Sequence, residues 1–171
     1  YYNGIHGHFN VLRHFTVFPT AKYIACVRHP VERIISQYLH ELNDDGSDSY
    51  FHKDIKSGRM SIVDFAEQDG VGNGMHVHVK GISLEDFDLL LLSENMLQSL
   101  FLLNYVIGDM SIPKHFGKPP LLPRENTRAQ RSIDQEFDQQ TRGEIYLRAP
   151  LDVEIYRKAS ELFAEKARKY T

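Results

Sequence analysis

The stretch Tyr23-Ile-Ala-Cys-Val27, Arg28-His29-Pro30, Val31-Glu-Arg-Ile-Ile-Ser-Gln-Tyr-Leu-His-Glu-Leu42 decides the fold class of this chain. Its first five residues are a short apolar run rich in β-formers, which reads as a buried strand. Pro30 cannot continue a central strand but suits the first turn of a helix. Beyond it, apolar residues at Val31, Ile34, Ile35, Tyr38, Leu39 and Leu42 recur at helical spacing. The unit is strand, tight turn, helix, and it places the chain in the α/β class.

Working outward, Asn43 to Ser49 is a polar, Gly-containing loop. Lys53 to Gln68 holds a short helix with Ser61 as its N-cap. Gly70 to Gly74 is loop. Leu84 to Asn104 reads as one long helix, with Leu89, Leu92, Met96, Leu97, Leu100 and Leu103 on a stripe. Tyr105 to Gly108 reads as a second short strand. Pro113, Pro119, Pro120 and Pro123 make Ile112 to Asn126 an extended loop. Pro150 to Tyr170 is a last amphipathic helix, with Leu151, Ile155, Ala159, Leu162 and Ala167 inward.

Of the 171 residues, 42% are hydrophobic and 25% charged. These proportions suit one globular domain over residues 1–171 and exclude a disordered, collagen-like or coiled-coil chain. Twenty Lys and Arg stand against 23 Asp and Glu, a net charge of −3, which argues against nucleic acid as a partner. Cys26 alone cannot form an intrachain disulfide, and no Asn-X-Ser/Thr sequon occurs. Both point to a reducing compartment, the cytoplasm. The opening residues carry no signal-peptide pattern. The most apolar window, Phe87 to Ile107, is interrupted by Asp88, Glu94, Asn95, Gln98 and Asn104, so no membrane span is expected.

The chemistry gathers at the turn. A strand end delivers Arg28 to the mouth of an α/β sheet, where ligands usually bind. The adjoining helix N-terminus offers free N–H groups and a positive dipole end. A guanidinium grips phosphate oxygens with a planar fork. Ser36 adds a hydroxyl, and Arg33, three residues before it, shares its face. Together these residues read as a phosphate site. The competing reading makes Arg28 and Arg33 ordinary surface or buried ion-pair arginines and Ser36 a neutral helix residue. Lys114 to Arg131 carries Lys114, Lys118, Arg124, Arg128 and Arg131 against Glu125 alone, a Pro-rich basic loop that reads either as a contact for an anionic partner or as a solvated loop.

The pattern R-x-P-x-x-R-x-x-S-x-Y, at Arg28, Pro30, Arg33, Ser36 and Tyr38, resembles the 3′-phosphate signature of PAPS-dependent sulfotransferases. His6-Gly7-His8, about 20 residues upstream, resembles the element that supplies the catalytic base in carbohydrate sulfotransferases of the heparan-sulfate 2-O-sulfotransferase type. The later order is also similar: the long helix Leu84 to Leu103, then Pro123-Arg124-Glu125-Asn126-Thr127, then a terminal helix with Asp152 and Tyr156. The resemblance implies a P-loop-NTPase-like fold, a parallel sheet flanked by helices. It implies that Arg28 and Ser36 hold the 3′-phosphate of 3′-phosphoadenosine 5′-phosphosulfate (PAPS), with Arg33, Arg124, Asn126 and Thr127 near the donor. It implies a general base within His6-Gly7-His8: His8 first, with His6 as its partner, a second acceptor contact or the base in its place. The acceptor is then a hydroxyl on a glycan or small molecule, and the product adenosine 3′,5′-bisphosphate (PAP). A eukaryotic carbohydrate enzyme of this kind would work in the Golgi lumen. The family's Gly-rich Lys-Thr/Ser phosphate loop occurs nowhere in the chain, and it is expected upstream of Tyr1, because the chain opens mid-pattern and without Met.

Two other readings stand beside this one. His6-x-His8 and His76-x-His78 have the strand spacing that puts two imidazoles on one side, as a metal-dependent hydrolase would need. No Asp/Glu motif completes such a signature, so no metal ligand is assigned, and His76 and His78 read as solvent-facing residues of an alternating stretch. The third reading is a non-catalytic sulfotransferase-like module that only binds a phosphorylated ligand.

Overall fold

A computed structural model describes residues 7–8, 10–43, 49–107 and 137–170. Within them the chain is mixed α/β and mostly helical, with a small two-stranded parallel sheet. Strand β1, Ile24–Val27, pairs with β2, Leu89–Leu92, so that Ile24 faces Leu89 and Val27 faces Leu92. Asp88 fixes this register at the start: its carboxylate accepts from the Tyr23 N–H at 2.8 Å. All four residues of β2 are buried. A strand covered on both faces is a continuous apolar run without alternation.

Helix α1, Leu12–Val17, precedes β1, and α2, Pro30–Asn43, follows it directly. Three short helices come next: α3, His52–Lys56; α4, Ile62–Ala66; and α5, Gly74–Val79. After β2 run α6, Met96–Ile107; α7, Gln139–Leu147; and α8, Pro150–Tyr170. No helix among the described residues is long and apolar enough to cross a membrane.

Two apolar clusters hold these elements. One gathers β2, Val27, Leu102 of α6 and the Ile155, Ala159 and Phe163 face of α8. The other gathers Val31, Ile34, Ile35 and Leu39 of α2 with Ile55, Phe65 and Ile145. So the apolar stripe of α2 packs on helices, and its first turn is left beside the sheet edge. Ser61 caps α4 as expected, in a full capping box with Asp64. The Asp64 carboxylate is held below its ordinary pKa by hydrogen bonds from the Ser61 hydroxyl and N–H. Ser61→Ala is expected to lower stability by about 1 kcal/mol. It should appear in urea unfolding as a lower midpoint at unchanged slope.

The clusters meet at a reciprocal cap. Asn73, the N-cap of α5, accepts with Oδ1 from the N–H groups of Leu151 and Asp152 at the start of α8. Asp152 returns the favour: its carboxylate accepts from the Met75 N–H at 2.9 Å and the His76 N–H at 2.8 Å in the first turn of α5. Each helix start thereby satisfies first-turn N–H groups of the other that have no acceptor within their own helix. Gly72 permits the approach. A Cβ there would stand 2.5 Å from the Arg148 carbonyl oxygen and 2.6 Å from that of Ala66.

Several sequence expectations are corrected. Leu84 to Asn104 is not one helix: a 3₁₀ turn at Leu84–Asp86, β2, a second 3₁₀ turn at Ser93–Asn95 and then α6 divide it. Tyr105 to Ile107 are the end of α6 and not a strand. His76 and His78 lie on helix α5, where an i, i+2 pair faces nearly opposite ways. Val77 between them is exposed, so the alternating-strand reading fails. In α8, the inward positions are Asp152 and Phe163 rather than Leu151, which is 41% exposed. Leu162 is only partly buried against the same cluster.

Candidate functional site at the carboxyl edge of the sheet

Both strands of a parallel pair end on the same side. Here that edge receives Arg28-His29-Pro30 from β1 and Ser93-Glu94-Asn95 from β2. Pro30 opens α2, as its fixed φ and missing N–H favour. The His29 carbonyl accepts from the Arg33 N–H at 2.9 Å, the first bond of the helix, so His29 is the N-cap. The next N–H groups, of Val31 and Glu32, belong to the turn that has no intrahelical acceptor. With 14 residues behind it, the helix presents a positive dipole end at this edge.

Arg28 is half-buried at the exit of β1 and has no hydrogen bond or ion pair among the described residues. Ser36, half-buried on α2, likewise keeps its hydroxyl free among them. Arg33 is placed differently. Its guanidinium stands 3.2 Å from the buried Asp152 carboxylate and donates to the carbonyls of Val71 and Gly72, the latter at 3.0 Å. It also reaches Gln37 at 3.3 Å. Arg33 thus follows the ion-pair reading, while Arg28 has no such pair among the described residues. Burial pushes the Arg33 pKa down, against the pull of Asp152.

Around the turn stands a group that sequence reasoning did not assemble. Glu94 accepts from the His29 N–H at 2.7 Å through one carboxylate oxygen. Through the other it accepts from the Tyr156 hydroxyl at 3.3 Å. The His29 ring meets the Tyr156 ring edge-on at 5.2 Å. Burial holds the His29 imidazole below its ordinary pKa; Glu94 opposes this and Arg142 adds to it. The same burial, helped by Glu94, pushes the Tyr156 phenol up. A helix over Leu84 to Asn104 would place Glu94 mid-helix, whereas it stands directly after β2. The available signal was a carboxylate directly after a four-residue apolar run.

His8 is exposed, and its ring lies 5.9 Å from that of His78. The chain after it is tied to α5: the Val11 N–H donates to the His78 carbonyl at 3.0 Å, and Asn10 donates to the Val77 carbonyl at 2.9 Å. The two His-x-His motifs therefore do meet, but through His8 and His78 alone among the described residues. No group of three or more potential metal ligands exists among those residues. His6, Arg124, Asn126 and Thr127, with the rest of the basic Lys114 to Arg131 loop, lie outside the described residues. No family model matches the chain, and no curated protein and no solved structure matches it either.

Proposed function

We propose that the chain is a sulfotransferase domain of the P-loop-NTPase-like kind. It would move a sulfuryl group from PAPS to an acceptor hydroxyl on a glycan or small molecule. The observation that carries this reading is the strand–turn–helix itself. Arg28 sits without a partner among the described residues, where β1 ends and α2 begins, with the free N–H groups of the first turn beside it and Ser36 further along the same helix. A guanidinium fork and a helix N-terminus on one edge make a phosphate grip. The spacing of Arg28, Pro30 and Ser36 resembles the 3′-phosphate signature of PAPS-dependent sulfotransferases.

In this reading the acceptor oxygen forms a bond to sulfur as the bond from sulfur to the 5′-phosphate oxygen breaks. His8 takes the acceptor's proton, and adenosine 3′,5′-bisphosphate leaves. Histidine suits that task because its ordinary pKa lies near neutrality. Arg33 acts beneath the site, holding α2 against α5 and α8 through Asp152.

The test is calorimetric titration of adenosine 3′,5′-bisphosphate, with 5′-AMP as control, into this chain and into a version extended upstream. Tight binding that requires the 3′-phosphate supports the reading, and no binding by either version overturns it. In the extended version His8→Ala is expected to lower turnover about 10²- to 10⁴-fold, while bisphosphate affinity stays within about twofold. Equal loss of both would make His8 structural. Binding without any sulfuryl transfer in the extended version would favour the non-catalytic module.

A further inference from the structure

We propose that Glu94 is the positioning residue of the phosphate grip: its carboxylate, arriving from the end of β2, fixes the backbone that aims Arg28. This rests on the sulfotransferase reading above. The N–H of an N-cap residue is ordinarily taken by the side chain at the third helical position, in a capping box. In α2 that position is Glu32, but Glu32 is paired with Arg142 of α7. Glu94 takes the vacated role from the neighbouring strand, at 2.7 Å. The peptide it holds is the one joining Arg28 to His29. Arg28 lies on one side of that N–H, and the first turn of α2, whose N–H groups have no partner among the described residues, lies on the other.

Glu94 is held in turn. At its root, the buried Ser99 hydroxyl bonds both the N–H and the carbonyl of Leu92, at 3.0 and 2.9 Å. At its tip, the Tyr156 hydroxyl donates to the second carboxylate oxygen at 3.3 Å, and the Tyr156 ring leans on that of His29. The contacts close a loop from β2 through α8 back to the turn. A carboxylate beside a phosphate site adds repulsion, so the role that fits is geometric: an acceptor at the right reach. A donor peptide left loose would let the guanidinium swing by more than a hydrogen bond tolerates.

Two conservative variants separate reach from charge. Glu94→Gln keeps the length and an acceptor oxygen. Glu94→Asp keeps the charge and loses about 1.5 Å of reach. The readout is the ratio of affinities for adenosine 3′,5′-bisphosphate and 5′-AMP, which a loss of general stability would not change. Glu94→Asp is expected to bind the bisphosphate about tenfold more weakly, the effect of one lost charged hydrogen bond, with 5′-AMP unchanged. Glu94→Gln should stay within about threefold of the wild type. A wild-type ratio in Glu94→Asp overturns the proposal and leaves the phosphate grip standing. So does an equal loss in both variants, which would assign the effect to charge. A wild-type protein that does not prefer the 3′-phosphate removes the grip, and the positioning role falls with it.

Discussion

Asp152→Ala is expected to destabilise the fold by about 3–5 kcal/mol, the cost of breaking a buried ion pair by removing one partner. Asp152 is fully buried in the first turn of α8. Three donors converge on it: the N–H groups of Met75 and His76, and the guanidinium of Arg33. Alanine would leave two N–H groups at the start of α5 without an acceptor and a largely enclosed arginine without its counter-charge. The Arg33 Nε already lacks a partner among the described residues, so this guanidinium has little spare pairing to fall back on. The melting temperature should fall by about 10 °C for a chain of this size. Asp152→Asn keeps an acceptor for one N–H and should lose less. Pairing Asp152→Asn with Arg33→Met removes both charges, and the double variant should be more stable than the sum of the single losses predicts. Additive losses would show that the ion pair is not what the site depends on. Urea unfolding of the four proteins decides it.

The elements legible in the sequence are those with one strong local signal. Tyr23 to Leu42 combines a β-rich run, a proline and a helical stripe, and the structure forms β1 and α2 there within one residue of the expected ends. Ser61 and Pro150 mark helix starts by cap chemistry alone. Leu84 to Asn104 fails for a physical reason. A strand buried on both faces does not alternate, and four consecutive leucines fit a helical stripe as well as a covered strand. The deciding facts are long-range: Asp88 reaches Tyr23, and Leu89 to Leu92 pair with β1. That misreading also concealed Glu94, because a carboxylate mid-helix is ordinary and the same carboxylate at a strand's carboxyl end is not. The two His-x-His motifs show the reverse error. Their spacing suggested strands, yet His76 and His78 sit on α5, whose ends are fixed by Asp152 and by the chain after His8.

Arg28→Ala is expected to weaken adenosine 3′,5′-bisphosphate binding about hundredfold, with 5′-AMP affinity within about twofold of the wild type. A hundredfold lies in the lower part of the cost of stripping one partner from a charged, hydrogen-bonded pair, because Arg28 is half-buried and not sealed from water. The first-turn N–H groups of α2 would remain, but they carry a partial charge where the guanidinium carries a whole one. Arg28→Lys restores the charge without the fork and should recover only part of the loss. Ser36→Ala removes one neutral donor and should cost about fivefold. Stability supplies the control. Arg28 has no partner among the described residues, so its removal should shift unfolding by less than about 0.5 kcal/mol. Arg33→Ala should do the opposite: a large loss of stability through Asp152, because its guanidinium is spent inside the fold. An Arg28→Ala protein that keeps full affinity for the bisphosphate would remove the phosphate grip from this turn. One that loses affinity only as it unfolds would make Arg28 structural, which its lack of a partner argues against.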